Sequence, residues 1–226
     1  SLRIKEKVGD QQGIAYTLNN IGIVHELRGD YDKAMEFYEK SLRIKEKIGD
    51  QRGIAYSLNR IGNVHRCRGD YDKALECFNN SLGTAKRLQI KPEMNNSYIG
   101  ISRIEVERNN LKKASEFCNQ AYSLSTEIGN KELIGSSNRV FGTIYREHKK
   151  WKDSIENFEK SIEMLERIGN RYQLAESYFE FGLMWNKKGD FDKAHNYLNK
   201  AIVTYEGMKL DKRVEKVRTV LKQMQM

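Results

Sequence analysis

Histidine, cysteine and aspartate are the side chains of this chain that could act in catalysis or ligate a metal, but their spacing favours neither role. His25 and His65 lie forty residues apart, at a position that Tyr145 and Trp185 occupy further along, which indicates packing between helices. The chain has three cysteines, which are Cys67, Cys77 and Cys118. Their positions lack the C-x-x-C spacing of a zinc site or a disulfide framework. No Gly-rich phosphate loop or nucleophile elbow occurs. We therefore expect no enzyme, no metal, no cofactor, and a reducing, cytoplasmic setting.

Asparagine and arginine are the other side chains whose chemistry suits ligand binding. A carboxamide offers a donor and an acceptor together, which matches the N–H and C=O groups of an extended peptide. Asn19 and Asn59 stand forty residues apart. Arginine binds carboxylates in a bidentate geometry, and the formal net charge of +9 leaves room for acidic partners. Because lysines and arginines are spread along the chain instead of clustered, a solvated basic surface is the competing interpretation.

A forty-residue repeat sets the elements that must position these residues. Residues 1–40 and 41–80 are identical at 28 of 40 positions, and such fixed-period similarity is typical of stacked repeats. Gly29-Asp30 and Gly49-Asp50 provide a helix end followed by an N-cap, so each unit is predicted to be a helical hairpin. We divide the single array of residues 1–226 into a half repeat at 1–10, repeats at 11–50, 51–90, 91–130, 131–170 and 171–208, and a C-terminal capping helix at 209–226.

Apolar periodicity predicts two helices in each repeat. First helices are expected at about 11–28, 51–68, 92–108, 131–148 and 171–188, and second helices at about 31–48, 71–88, 111–128, 151–168 and 191–206. Lys45 lies in a last turn, where the helix dipole favours cations. Residues 1–8 repeat the end of a second helix, so we expect a fragment of a longer array. Leu210, Val214 and Leu221 mark a final amphipathic helix, which either caps the last repeat or is the edge of a further one.

The recurring residues resemble the tetratricopeptide repeat along essentially the whole chain. The matching positions are Leu18, Ile21-Gly22, His25, Ala34, Tyr38 and Ser41, with counterparts at Leu58, Ile61-Gly62, His65, Ala74, Phe78 and Ser81. The resemblance implies an all-α, right-handed α-α superhelix of about five hairpins. The forty-residue period is similar to the repeats of kinesin light chains, Leu-Gly-Asn-repeat adaptors and bacterial peptide-pheromone receptors. Those families bind peptide segments in a concave groove lined by the first helices, and the resemblance implies such a groove here.

The residues of the first helices that do not recur are placed in that groove by the resemblance. They are Tyr16, Asn19, Asn20, Ile23, Tyr56, Asn59, Arg60, Asn63, Arg66, Ile99, Arg103, Arg139, Thr143, Arg146, Phe179 and Leu183. The asparagines would grip a peptide backbone, and the alternative is that they are polar residues on a solvated face. The arginines of repeats two to four would select an acidic peptide, although Glu176 and Glu180 reverse the sign in repeat five. The alternative for the arginines is ion pairing with neighbouring glutamates.

We expect a non-catalytic protein–protein interaction scaffold or adaptor that binds an extended or partly helical, acidic peptide in this groove. Two other functions are open. The net charge of +9 would suit RNA, but no base-reading residue recurs once per repeat, so nucleic acid is disfavoured. Apolar edges of the array would allow end-to-end self-association. No stretch approaches the roughly 18 consecutive apolar residues of a membrane span, so we expect no membrane partner.

Overall fold

The computed structural model describes residues 9–224, so residues 1–8 of the predicted half repeat lie outside the described part of the chain. Between residues 9 and 224 the chain forms eleven α-helices and no strand. They are α1 Gln11–Leu27, α2 Tyr31–Lys47, α3 Gln51–Arg68, α4 Tyr71–Arg87, α5 Lys91–Glu107, α6 Leu111–Glu127, α7 Lys131–Glu147, α8 Trp151–Arg167, α9 Arg171–Lys188, α10 Phe191–Glu206 and α11 Asp211–Gln223. Every helix predicted between residues 9 and 224 is present, and the all-α prediction is confirmed.

The helices form two compact units, of which the first ends at Ile104 and the second begins at Glu105. In the first unit α1 packs with α2, α2 with α3, and α3 with α4. In the second unit each helix from α6 to α11 packs with the next, and the first helices α7 and α9 also touch. Each unit is therefore a stack of consecutive hairpins, the helical solenoid that the repeat predicts. No helix within residues 9–224 is long and apolar enough to span a membrane.

Tight turns join the helices, and most of them use glycine in the left-handed conformation. Gly29 follows α1 with a φ of 76°, which an L side chain adopts only with strain. Asp50 caps α3 because its carboxylate accepts the Gly53 N–H at 2.9 Å. Asp30 occupies the N-cap position of α2, as predicted, although its side chain makes no cap hydrogen bond. Lys149 takes the place of a glycine and adopts a φ of 57°.

In four of the five repeats, the two helices of the hairpin meet at a glycine that has no room for a side chain. The pairs, with the distance that a Cβ on the glycine would have to its partner, are Gly22 and Tyr38 at 2.6 Å, Gly62 and Phe78 at 2.9 Å, Gly142 and Phe158 at 2.9 Å, and Gly182 and Leu198 at 2.7 Å. All four partner side chains are fully buried. Real Cβ atoms essentially never lie closer than 3.0 Å to a neighbour, so these positions require glycine.

In three of the hairpins, a serine hydroxyl also links the two helices by a hydrogen bond. It donates from the second helix to a carbonyl of the first, in the pairs Ser41 to Ala15 at 2.7 Å, Ser81 to Ala55 at 2.8 Å, and Ser161 to Gly135 at 2.7 Å. All three serines are fully buried, so each hydroxyl needs such a partner. Alanine replaces the serine in repeats three and five, at Ala121 and Ala201.

Repeat two offers a matched pair of glycines that tests the close approach. Gly62→Ala would place a methyl group 2.9 Å from the Phe78 ring, so we expect the free energy of unfolding to fall by about 1–3 kcal/mol. Gly83→Ala, in α4 of the same hairpin, meets no atom within 4 Å, and we expect the free energy of unfolding to rise by about 1 kcal/mol. Urea unfolding followed by circular dichroism measures both. If both substitutions changed the free energy of unfolding by the same amount in the same direction, the contact with the Phe78 ring would not constrain position 62.

Candidate functional site

Asn59 holds two neighbouring first helices of the first unit together. Its Nδ2 donates to the backbone carbonyl of Glu93 at 3.1 Å and to Oε2 of the same residue at 2.8 Å. Its Oδ1 accepts the Ser97 hydroxyl at 2.8 Å. The side chain is 3% exposed and uses both of its N–H donors and its oxygen within the protein. Asn59 is therefore a polar staple between α3 and α5.

Arg139 makes the same kind of staple in the second unit. Its Nη1 donates to the Gln173 carbonyl at 2.8 Å, and its Nη2 donates to Oε1 of the same residue at 2.6 Å. Nη1 also lies 3.5 Å from the Ser177 hydroxyl. The partners stand 34 and 38 residues after the staple, as they do for Asn59. Sequence reasoning missed this role, although a polar residue at this position followed by a serine 38 residues later was a usable signal.

Ion pairs also join first helices at a spacing of 34 residues, and their polarity differs between the units. In the first unit Glu26 lies 3.9 Å from the Arg60 guanidinium. In the second unit the charges are exchanged, and Arg146 donates to Oε2 of Glu180 at 2.8 Å. Glu180, one of the two acidic residues that reverse the charge in repeat five, is thus the partner of an arginine one repeat earlier.

Arg146 is further neutralised by a second carboxylate. Its Nε donates to Glu147 at 2.9 Å, and Lys187 donates to the same carboxylate. Burial opposes the charge on Glu147, but the hydrogen bonds from Lys187 and Arg146 hold the pKa of that carboxyl below its ordinary value. Together with Glu180, these side chains form a network of two cations and two carboxylates. The ion-pairing alternative for the arginines holds at this position.

Arg60 is held in place but remains open to solvent. Its guanidinium lies 5.2 Å from the centre of the Tyr56 ring, and its Nη2 donates to the Tyr56 hydroxyl at 3.2 Å. Glu26, which faces its Nη1, is itself held because it accepts the Tyr38 hydroxyl at 2.5 Å. Burial and the neighbouring Glu26 raise the pKa of the Tyr38 phenol, which keeps it a donor. About a third of the Arg60 side chain, 32%, is exposed, so a carboxylate can reach it.

Three more of the predicted residues on the first helices of the first unit are available to a ligand. Tyr16 is 66% exposed, Asn20 is exposed and Asn63 is half-buried. Neither carboxamide makes a hydrogen bond to any residue between 9 and 224. We call the set of Tyr16, Asn20, Tyr56, Arg60 and Asn63 the open face. Its carboxamides, phenol and guanidinium supply donors and acceptors that the fold does not use.

The other predicted site residues are buried or half-buried among protein atoms. Ile23 packs against the core cluster of Ala34, Tyr38 and Val64. Thr143 is half-buried and donates to the carbonyl of Arg139 at 3.1 Å. Arg66, Ile99, Arg103 and Leu183 are half-buried, Asn19 is 2% exposed, and Phe179 is 5% exposed beneath the Lys216 ammonium.

Lys45 is a buried cation beneath the open face, which the sequence did not indicate. Only 5% of the residue is exposed, and its Nζ donates to the Ser57 hydroxyl at 2.8 Å. The same nitrogen lies 5.6 Å from the centre of the Tyr56 ring, on which Arg60 also stacks. Burial lowers the pKa of the Lys45 ammonium, although Asp50 and Glu93 pull in the opposite direction. The side chain crosses to α3 instead of ending in solvent at the helix terminus.

His25 and His65 each contact a neighbouring side chain of their own repeat. His25 stacks on Phe37 with ring centres 5.5 Å apart, and His65 lies 3.4 Å from the Asp70 carboxylate. Within the described range no group of three or more histidine, cysteine, aspartate or glutamate side chains could hold a metal ion.

Comparison with known proteins adds a family and a set of similar folds. A family model described as the tetratricopeptide repeat matches residues 1–47, 53–127 and 132–206. A search of curated proteins found no match to the sequence. A Rap protein complexed with Competence and Sporulation Factor is similar in structure, with a TM-score of 0.79 and 14% identity over 91% of this chain. This chain spans 58% of the length of that Rap protein.

Two further solved structures share the fold. BtubC from P. vanneervenii has a TM-score of 0.66 and 14% identity over 92% of this chain and 88% of its own. A putative kinesin light chain from Podosopora anserina, with nearly identical TPR-like repeats, has a TM-score of 0.56 and 13% identity over 88% of this chain and 97% of its own. At these identities the similarity concerns the fold alone.

Helix α3 carries two asparagines that allow a comparison. Asn59 is the buried staple, whereas the side chain of Asn63 makes no hydrogen bond within residues 9–224. Asn59→Ala would leave the Glu93 carboxylate and the Ser97 hydroxyl without their buried partner, so we expect the free energy of unfolding to fall by about 2–3 kcal/mol. Asn63→Ala removes no hydrogen bond within residues 9–224, and we expect a change below about 0.5 kcal/mol. Thermal and urea unfolding measure both variants. A loss of similar size in the two variants would contradict the staple.

The buried ammonium of Lys45 makes stability depend on pH. The unfolded chain keeps this proton up to a pH of about 10.4, whereas the folded chain releases it at lower pH. The free energy of unfolding therefore gains a contribution that rises with pH between the lowered pKa and about 10.4. Lys45→Met should remove this rise. Lys47→Met, at an exposed position two residues on, serves as the control and should keep it. Urea titrations from neutral to alkaline pH measure the difference, and parallel pH profiles for the two variants would refute it.

Proposed function

This chain belongs to the tetratricopeptide repeat family, and we propose that it is a protein-interaction module that binds a peptide segment through the open face of its first unit. The peptide is extended or partly helical and carries carboxylate side chains. No chemical step is part of the proposed function. The similar fold of a Rap protein complexed with Competence and Sporulation Factor supports ligand binding by such a solenoid.

The observation that carries the proposal is the position of Arg60. Its guanidinium is stacked on Tyr56 and faced by Glu26, so little side-chain entropy is lost when a ligand binds. Its other N–H groups make no hydrogen bond to residues 9–224, and a third of the side chain meets solvent. A planar, pre-oriented guanidinium with unused donors favours a carboxylate.

The carboxamides of Asn20 and Asn63 complete the proposed contact. Each offers a donor and an acceptor to the backbone of an extended peptide, and neither is used by the fold. The exposed ring of Tyr16 would cover apolar parts of the ligand. Asn59 and Arg139 are excluded from the proposed contact because their polar atoms are already paired between repeats.

The proposed preference for acidic peptides rests on the first unit alone. The charged residues among the predicted site positions of its first helices are all cations, namely Arg60, Arg66 and Arg103. In the second unit Arg146 is neutralised by Glu147 and Glu180, so we assign that unit no acidic preference.

Peptides selected from a random library displayed on phage test this proposal. The protein should enrich sequences rich in aspartate and glutamate, and a synthetic copy of a selected peptide should bind Arg60→Glu at least about tenfold more weakly, or about 1.4 kcal/mol. Arg43→Glu is the matched control, because Arg43 is also half of an ion pair but lies on a second helix with 77% of its side chain exposed. Fluorescence anisotropy measures the affinities, and circular dichroism confirms the fold.

Two outcomes would contradict the proposal. Enrichment of neutral or basic peptides would exclude the carboxylate preference. Equal binding by Arg60→Glu and the wild-type protein would exclude the open face as the contact surface.

A further inference from the structure

Lys45 is a charged residue at a position where the other repeats bury neutral side chains. Its Nζ makes no ion pair with a carboxylate of residues 9–224, and its hydrogen bond goes to the neutral Ser57 hydroxyl at 2.8 Å. The equivalent residues of the other second helices are at most 2% exposed, and they are Ala85, Ser125, Leu165 and Tyr205. A buried ammonium without a carboxylate partner is costlier than a neutral side chain. Packing of the array alone would therefore favour a neutral residue at position 45.

The two carboxylates that attract this ammonium are each bound to other groups. Asp50 accepts the Gly53 N–H at 2.9 Å. Glu93 accepts a hydrogen bond from Nδ2 of Asn59 at 2.8 Å. Burial outweighs the attraction of both, because the pKa of the Lys45 ammonium stays below its ordinary value. The positive charge is thus only partly compensated within residues 9–224, and it can attract a further carboxylate.

The Tyr56 ring places this buried charge next to the open face. Nζ of Lys45 lies 5.6 Å from the ring centre, and the guanidinium carbon of Arg60 lies 5.2 Å from the same centre. The two cations are therefore separated by no more than the sum of these distances, and they repel each other. A carboxylate bound to Arg60 would relieve that repulsion. Because a buried charge is screened less by water and salt than an exposed one, Lys45 can attract a ligand that it does not touch.

We propose that Lys45 is a specificity-determining residue of the open face, because its buried charge makes the site select a peptide with a carboxylate facing Arg60. This inference rests on the proposed function. Only 5% of Lys45 is exposed, so its effect on the ligand is electrostatic and not a direct contact. A neutral peptide gains nothing from such a charge, whereas a carboxylate at Arg60 is attracted by both cations. Glu26, which lies 3.9 Å from Arg60, offsets part of this attraction.

Double-mutant cycles between the protein and a peptide test this role. The probe is a fluorescein-labelled copy of an aspartate- and glutamate-rich peptide selected by phage display, and further copies each have one carboxylate replaced by the corresponding amide. Lys45→Met should weaken binding of the unchanged peptide at least about threefold. The loss should fall below about 1.5-fold in the copy that lacks the carboxylate most strongly coupled to Arg60→Glu. Lys47→Met removes an exposed charge from the same helix and should change no affinity by more than about 1.5-fold.

Other outcomes would overturn the inference. If Lys45→Met bound the acidic peptide like the wild-type protein while Arg60→Glu lost binding, the proposed function would stand without a role for Lys45. An equal loss by Lys45→Met for every copy of the peptide would mean that the substitution only disturbs the structure. Wild-type binding by Arg60→Glu would instead refute the proposed function, and this inference with it. Lys45→Ala, which introduces the residue that repeat two has at Ala85, is the second variant if circular dichroism shows that Lys45→Met does not fold.

Discussion

The contact between a glycine of the first helix and a large side chain of the second is the constraint on which the hairpins depend. Tyr38, Phe78, Phe158 and Leu198 each lie where a Cβ on the facing glycine would collide. This contact fixes the distance between the two helices and their rotation about their own axes. The rotation in turn decides which residues of the first helix point toward the next repeat and which remain in contact with solvent. The close contact therefore sets the environment of the polar residues on the first helices that carry such a glycine.

The polar residues of the first helices divide into two groups with different tasks. Asn59 and Arg139 bond to residues 34 and 38 positions later and hold neighbouring repeats together. A buried polar group must be paired, so these side chains specify the stacking register and are unavailable to a ligand. Asn20, Arg60 and Asn63 keep donors and acceptors that the fold does not use. Residue type alone does not separate the groups, because an asparagine serves in each.

The fold was predictable because it depends on short-range patterns that recur five times. The glycines, the apolar spacing and the forty-residue period locate each helix, and every helix from Gln11 to Gln223 is found where it was predicted. The site was predictable only in part. The burial of Asn59 and the pairing of Arg146 with Glu180 depend on how one repeat sits on the next, which the pattern within a repeat does not contain. Lys45 was interpreted as a last-turn cation, but its long side chain reaches Ser57 on the next helix.

Nuclear magnetic resonance of the side-chain nitrogens most directly tests the division of these polar residues into those that pair between repeats and those that remain available to a ligand. A peptide with aspartate and glutamate side chains, selected by the protein itself, is titrated while the carboxamide signals of asparagine and the Nε signals of arginine are followed. The division predicts that the signals of Asn20, Asn63 and Arg60 shift with the bound fraction, whereas those of Asn59 and Arg139 stay in place. Shifts of Asn59 and Arg139 with unchanged signals from Asn20, Asn63 and Arg60 would contradict it.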